Sequence, residues 1–188
     1  VFFVIGLMTA ALGLFMLLPM AADIVAGARN WASFALSAFV TVLAGISVAL
    51  VCRQARSRGL SIQQTFLLTT LTWAVLPAFA ALPLMLGAPG ASLTDAVFEA
   101  VSGLTTTGST VLTGIETLPP GALVWRGILQ WIGGIGIIVV AMAFLPAMRV
   151  GGMQFFRSEG FDTFGKILPR AAEIAISISW IYLGLTVA

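Results

Sequence analysis

The run Val101-Ser102-Gly103-Leu104-Thr105-Thr106-Thr107-Gly108-Ser109-Thr110 carries five hydroxyl side chains in its last six residues and lies between two long apolar stretches. Backbone that leaves helical geometry at membrane depth survives only where protein buries it or a watery cavity faces it. A threonine run punctuated by glycine can present successive carbonyl oxygens to a dehydrated cation, so the chemistry predicted here is ion selection by a filter. The plainer alternative is an ordinary helix whose hydroxyls bond carbonyls one turn back. The two glycines, the acidic flank and the Pro119-Pro120-Gly121 break that follows argue against it. Missing residue types exclude other chemistry. The chain has no histidine and one cysteine, Cys52, which removes a histidine metal site, a Ser/His triad and an internal disulfide. Without paired carboxylates inside a span there is no acid/base constellation. Neither enzyme activity nor a bound cofactor is therefore expected of this chain.

The elements that must hold such a filter are membrane spans. Sixty per cent of the residues are apolar, nine per cent are charged and the mean hydropathy is +1.09, against about 25% charged residues in soluble domains. The predicted fold class is an all-α integral membrane protein. Val1–Ala22 is apolar and, at about 1.5 Å per residue, long enough for a hydrocarbon core of about 30 Å. Pro19 is expected near its end, where a missing N–H does least harm. With no basic start and no Ala-x-Ala site it does not read as a signal peptide. Because the chain begins without methionine and stops inside an apolar run, it reads as a fragment.

Asp23–Asn30 reads as a short polar turn. Trp31, placed as an interfacial anchor, opens a second span to about Cys52, with Ser33, Ser37, Thr41, Gly45 and Ser47 as its packing face. A third span covers Thr65–Leu86; its Pro77 and Pro83 require neighbouring helices to take the freed carbonyls. Ser92 followed by Asp95 resembles a capping box and opens a helix over Leu93–Leu104, with Val97, Val101 and Leu104 expected on one side. At about 18 Å this helix is too short to cross, so it is predicted to be re-entrant, its partly negative C-terminal end toward the membrane centre. Leu123–Met148 returns as a fourth span, with Trp125 and Trp131 toward its outer end and Gly127, Gly133, Gly134 and Gly136 expected to let the re-entrant segment pack close. Ala171–Ala188 begins a fifth.

Charge sets the predicted orientation. Arg53, Arg56 and Arg58 form a loop without an acid, and 149–170 holds four basic and two acidic residues; both read as cytoplasmic. Between them, 87–121 carries Asp95, Glu99 and Glu116 with no basic residue and reads as external, which puts the start of the chain in the cytoplasm. The net charge of +2 is too small to argue for nucleic acid. The expected surroundings are a lipid bilayer.

Phe98-Glu99-Ala100-Val101-Ser102-Gly103-Leu104-Thr105-Thr106-Thr107-Gly108-Ser109-Thr110 and Gln130-Trp131-Ile132-Gly133-Gly134-Ile135-Gly136-Ile137-Ile138-Val139 together resemble the first pore repeat of the Trk/Ktr/HKT potassium transporter family, closest to its TrkH/TrkG branch. Phe155-Phe156-Arg157-Ser158-Glu159 and Ile167-Leu168-Pro169-Arg170 are similar to the loop and next repeat of that branch, and the two leading spans match its extra N-terminal helices. The resemblance implies one helix-pore-helix repeat of a pseudo-fourfold channel-like fold, with the filter at Thr105, Thr106, Thr107, Gly108 and Ser109 and backbone carbonyls of Thr106, Thr107 and Gly108 as potassium ligands. It also implies that three further filter strands lie elsewhere in the full-length chain, so that this part alone does not conduct. A homodimer and a cytoplasmic nucleotide-binding regulatory subunit are the implied partners; any nucleotide would belong to that subunit. Glu99 can pair with Arg126 and support the filter, be a solvated charge at the outer mouth, or coordinate the cation directly.

The organisation read from these elements is two N-terminal helices and a basic loop over 1–60, the first pore repeat over 61–150, and a loop with the start of the second repeat over 151–188. Potassium uptake across the plasma membrane is the function the resemblance implies. A sodium-permeable or cation-coupled transporter of the same fold and a non-conducting assembly subunit are the competing readings.

Overall fold

The computed structural model describes residues 1–53, 62–144, 177 and 180–186. The chain falls into two compact units, Val1–Gly134 and Ile135–Ala188. Its elements are α1 (Phe2–Phe15), α2 (Leu17–Val25), α3 (Trp31–Val51), α4 (Ile62–Ala80), α5 (Leu82–Leu86), α6 (Leu93–Leu104), a 3₁₀ turn (Ile115–Thr117) and α7 (Pro120–Phe144). No β-strand occurs among the described residues. The basic loop beyond Arg53, the loop 149–170 with the motifs read in it, and most of the fifth span lie outside the described residues.

Among the described residues, three spans are long and apolar enough to cross a membrane: Phe2–Val25, Trp31–Val51 and Gln63–Leu86. α7, at 25 residues, extends about 37 Å. The first span is longer than Val1–Ala22, so Pro19 falls inside it rather than at its end. The proline ring opposes the carbonyl four residues earlier, that of Phe15, and the helix breaks at Met16. α1 and α3 cross through small residues. A Cβ on Gly6 would lie 2.7 Å from the backbone nitrogen of Ala49, and one on Gly45 would overlap the backbone of Ala10. Ser37, Thr41, Gly45 and Ala49 form the buried stripe of α3 at four-residue spacing, while the predicted Ser47 is exposed. Without a hydrophobic drive between helices in lipid, such backbone proximity is what makes them associate.

Asp23 does not lie in the short polar turn expected over Asp23–Asn30. It belongs to the last turns of α2 and has no exposed surface. Its Oδ1 accepts from the Gly121 N–H at 2.6 Å and its Oδ2 from Asn30 Nδ2 at 2.9 Å, while Asn30 Oδ1 accepts from the Ala88 N–H at 2.7 Å. A buried carboxylate is stable only with its lone pairs satisfied, and these donors satisfy it.

The proline-rich third span is repaired by a neighbour, as its prolines demand. The helix breaks at Ala81, where the Leu84 N–H turns to the Ala81 carbonyl. The Ala80 carbonyl so released accepts from Trp125 Nε1 of α7 at 3.0 Å. Trp125 is fully buried, edge-on to Phe34 with ring centroids 6.4 Å apart. Met16, Leu84 and Leu129 complete the centre of this core.

Candidate functional site

α6 starts as its sequence predicts. Ser92 Oγ accepts from the Asp95 N–H at 3.2 Å, but the Asp95 carboxylate returns to the Ser92 hydroxyl (2.7 Å) rather than to the Ser92 backbone N–H. The buried face differs from the predicted Val97-Val101-Leu104 stripe. It consists of Ala96, Glu99, Ala100, Ser102, Gly103 and Leu104, with Val101 exposed. The cause is how closely α7 approaches. A Cβ on Gly103 would meet the Leu129 side chain at 2.9 Å, and one on Gly133 would overlap the Leu104 carbonyl. A contact at backbone range selects the face with the least side chain. At Gly127 a Cβ would meet nothing within 4 Å among the described residues, so close packing of this kind belongs to Gly133 and not to Gly127.

These contacts also fix the course of the chain. Glu99 meets Arg126, Gly103 meets Leu129 and Leu104 meets Gly133, so α6 and α7 run in the same direction. The end of α6 lies about 20 Å along α7 from its start, and 105–119 must climb back to Pro120. That is a re-entrant hairpin.

The end of α6 is closed by a Schellman turn. The Thr106 N–H bonds the Gly103 carbonyl at 2.9 Å and the Thr107 N–H bonds the Ser102 carbonyl at 3.0 Å, the paired bonds of that motif. The left-handed position of the motif, normally glycine, is Thr106 at φ 58°. A β-branched residue there is a conformational outlier. Gly108 follows at φ 73°, which glycine adopts freely. Between and around these two left-handed residues, the carbonyls of Thr105, Thr106, Thr107 and Gly108 receive no hydrogen bond among the described residues. The Ser109 carbonyl differs, accepting from Ser102 Oγ at 2.6 Å.

The return strand hangs on Glu99. Its Oε1 accepts from Thr110 Oγ1 (2.5 Å), the Val111 N–H (2.7 Å) and the Leu112 N–H (3.3 Å). Its Oε2 lies 3.2 Å from Arg126 Nη2, and the carboxylate side chain is 1% exposed. Bonds to an ionised acceptor are about twice as strong as neutral ones, so one buried carboxylate joins α6, the strand after the threonine run and α7. Glu99, Ser102, Gly103, Gly108, Ser109, Arg126 and Gln130 line one narrow polar cleft.

The structure thus brings Glu99, Arg126, Gly108 and Ser109 around one cleft and leaves Thr106 and Thr107 exposed beside it. Glu99 is neither a solvated charge nor turned away from the run. Ser102 and Thr110 hold the run in place and were not singled out from the sequence. The spacing of Glu99 and Ser102, three residues apart and hence on one helix face, is the signal that points to Ser102.

Long apolar helices and a short helix after which the chain turns back define a helical membrane protein with a re-entrant hairpin. The family described as "TrkH: Cation transport protein" matches residues 32–188. Trk system potassium uptake protein TrkI of Halomonas elongata is 45% identical over 97% of this chain and 37% of its own length. Trk system potassium uptake protein TrkH of Vibrio parahaemolyticus is 38% identical over 98% of the chain and 39% of its own. The crystal structure of the potassium transporter TrkH from Vibrio parahaemolyticus superposes with a TM-score of 0.81 at 35% identity, covering 98% of this chain and 36% of that one. The chain belongs to the TrkH cation transport protein family and spans well under half the length of these relatives.

Proposed function

We propose that this chain supplies one filter strand of a potassium-uptake protein, with the carbonyls of Thr105, Thr106, Thr107 and Gly108 as ligands for the ion. The observation that carries the reading is the set of carbonyls, unpartnered among the described residues, that includes the two left-handed residues Thr106 and Gly108, with one end closed by the Schellman turn and the other hung on Glu99. Carbonyl dipoles that have no protein donor are available to replace the hydration shell of a cation. Glu99 and Arg126 neutralise each other behind the strand and hold it; the carboxylate is already occupied by three donors and a guanidinium, which argues against direct coordination. Names of the relatives supply the ion, potassium. The remaining pore repeats of the full-length chain would complete the path, with a homodimer and a cytoplasmic nucleotide-binding subunit as further partners. In the plasma membrane the loop 87–121 would face outside. Expression of the full-length protein in a host lacking potassium uptake tests the reading: it should restore growth at limiting potassium, and a correctly inserted protein that gives no uptake contradicts it.

A further inference from the structure

The hairpin that carries the filter run is attached at both ends to one pair of side chains from outside it. Ala88 precedes α6 and Gly121 opens α7; their N–H groups are taken by Asn30 Oδ1 and Asp23 Oδ1, and Asp23 Oδ2 accepts from Asn30 Nδ2 to lock the pair. Asp23 is completely buried and has no lysine or arginine within ion-pair distance among the described residues. Its charge is instead set against the N-terminus of α7. Pro119 and Pro120 have no N–H, so the Gly121 N–H is the first donor that helix presents, at its partly positive end. Gly121 has no space for a Cβ because the Asp23 carboxylate fills it. At the other end of the hairpin, Gly103 against Leu129 and Leu104 against Gly133 leave no slack between α6 and α7. A change in the separation of Ala88 and Gly121 therefore shifts Thr105 and the residues after it.

We infer that Asp23 and Asn30 form a positioning clamp that sets the register of α6 against α7 and, through it, the geometry of the filter carbonyls. This makes the first two spans determinants of ion selectivity. The inference rests on the filter reading above. Its test uses the full-length protein with D23N, N30D, the exchange D23N/N30D, and G121A, measuring potassium and sodium uptake per inserted protein. D23N sets two amide NH₂ groups against each other, N30D sets two carboxylates together, and G121A pushes the carboxylate off its donor. The exchange restores all three hydrogen bonds, since the new amide at position 23 accepts from Gly121 and donates to the new carboxylate at position 30.

Each single change should lower potassium uptake about tenfold and lower the potassium to sodium ratio, as befits the loss of buried bonds to a charged group. The exchange should recover about half of the wild-type values or more, because moving the charge forfeits only the modest helix-terminus contribution. A merely structural pair would change the amount inserted and leave the ratio alone. Wild-type ratios in the singles, or an exchange variant as defective as they are, would overturn the clamp. Should a single variant fail to insert, the exchange decides: insertion with a near-wild-type ratio supports the clamp, and failure contradicts it. A wild-type protein without potassium preference removes the filter reading and the clamp's role with it. Wild-type preference with unaltered ratios in the singles removes the clamp alone.

Discussion

Glu99 concentrates more of the site in one side chain than any other residue, and its two oxygens divide the work. Oε1 holds the return strand and Oε2 holds Arg126. Glu99→Gln keeps an acceptor for the strand, whereas Glu99→Ala removes both attachments, so potassium uptake by the full-length protein should fall further in the alanine variant. Equal defects would show that the strand does not depend on this carboxylate. Arg126→Gln strands a carboxylate that is 1% exposed and should cost about 3–5 kcal/mol, read as a lower thermal midpoint of the purified protein. The pair was legible in the sequence because opposite charges at one depth on adjoining helices attract. The attachment of Glu99 to 110–112 was not, since a loop path has no periodicity to reveal it. Thr106 at φ 58° was hidden for a related reason: the handedness of a helix end is imposed by where the chain must go next. Its left-handed cost of about 1–3 kcal/mol exceeds the entropic cost of glycine of about 0.5–1 kcal/mol, so Thr106→Gly should raise the thermal midpoint, and a lowered midpoint would count against strain there.

At the scale of elements, α6 and α7 meet at backbone range, and glycines on the same helix differ sharply in what they do. Gly133→Ala places a methyl group into the Leu104 carbonyl and should cost about 1–3 kcal/mol as overpacking, seen as reduced insertion and uptake. Gly127→Ala meets open space and should be tolerated or stabilise the helix by up to about 1 kcal/mol. Equivalent behaviour of the two would contradict the packing described. The bounds of α6 were readable because Ser92 caps it and the threonine run ends it. Its face was misjudged because apolarity was weighed where backbone proximity decides, leaving Val101 exposed and Ala96, Ala100 and Gly103 inside. In the third span the prolines announced that a partner was needed. Only the fold identifies that partner as Trp125, because the donor comes from 45 residues away.

For the molecule as a whole, the charge asymmetry of the loops predicts an orientation that accessibility can test. In a Cys52→Ser background, Ser92→Cys and Thr117→Cys should react with an impermeant reagent from outside, and Ser57→Cys only from inside; the reverse pattern would overturn the external placement of the hairpin. The first three spans and the hairpin layout were legible because length and apolarity are local properties, whereas the burial of Asp23 was not, since its partner Gly121 lies 98 residues away. The central claim, that the run after α6 selects the ion, is tested most directly at Gly108. Its φ of 73° would cost a residue with a Cβ about 1–3 kcal/mol, and about 1.4 kcal/mol is already a tenfold change in relative ion occupancy. Potassium and sodium uptake should be measured for Gly108→Ser in the full-length protein, normalised to protein in the membrane. The account predicts normal insertion with a reduced potassium to sodium ratio; an unchanged ratio would contradict it.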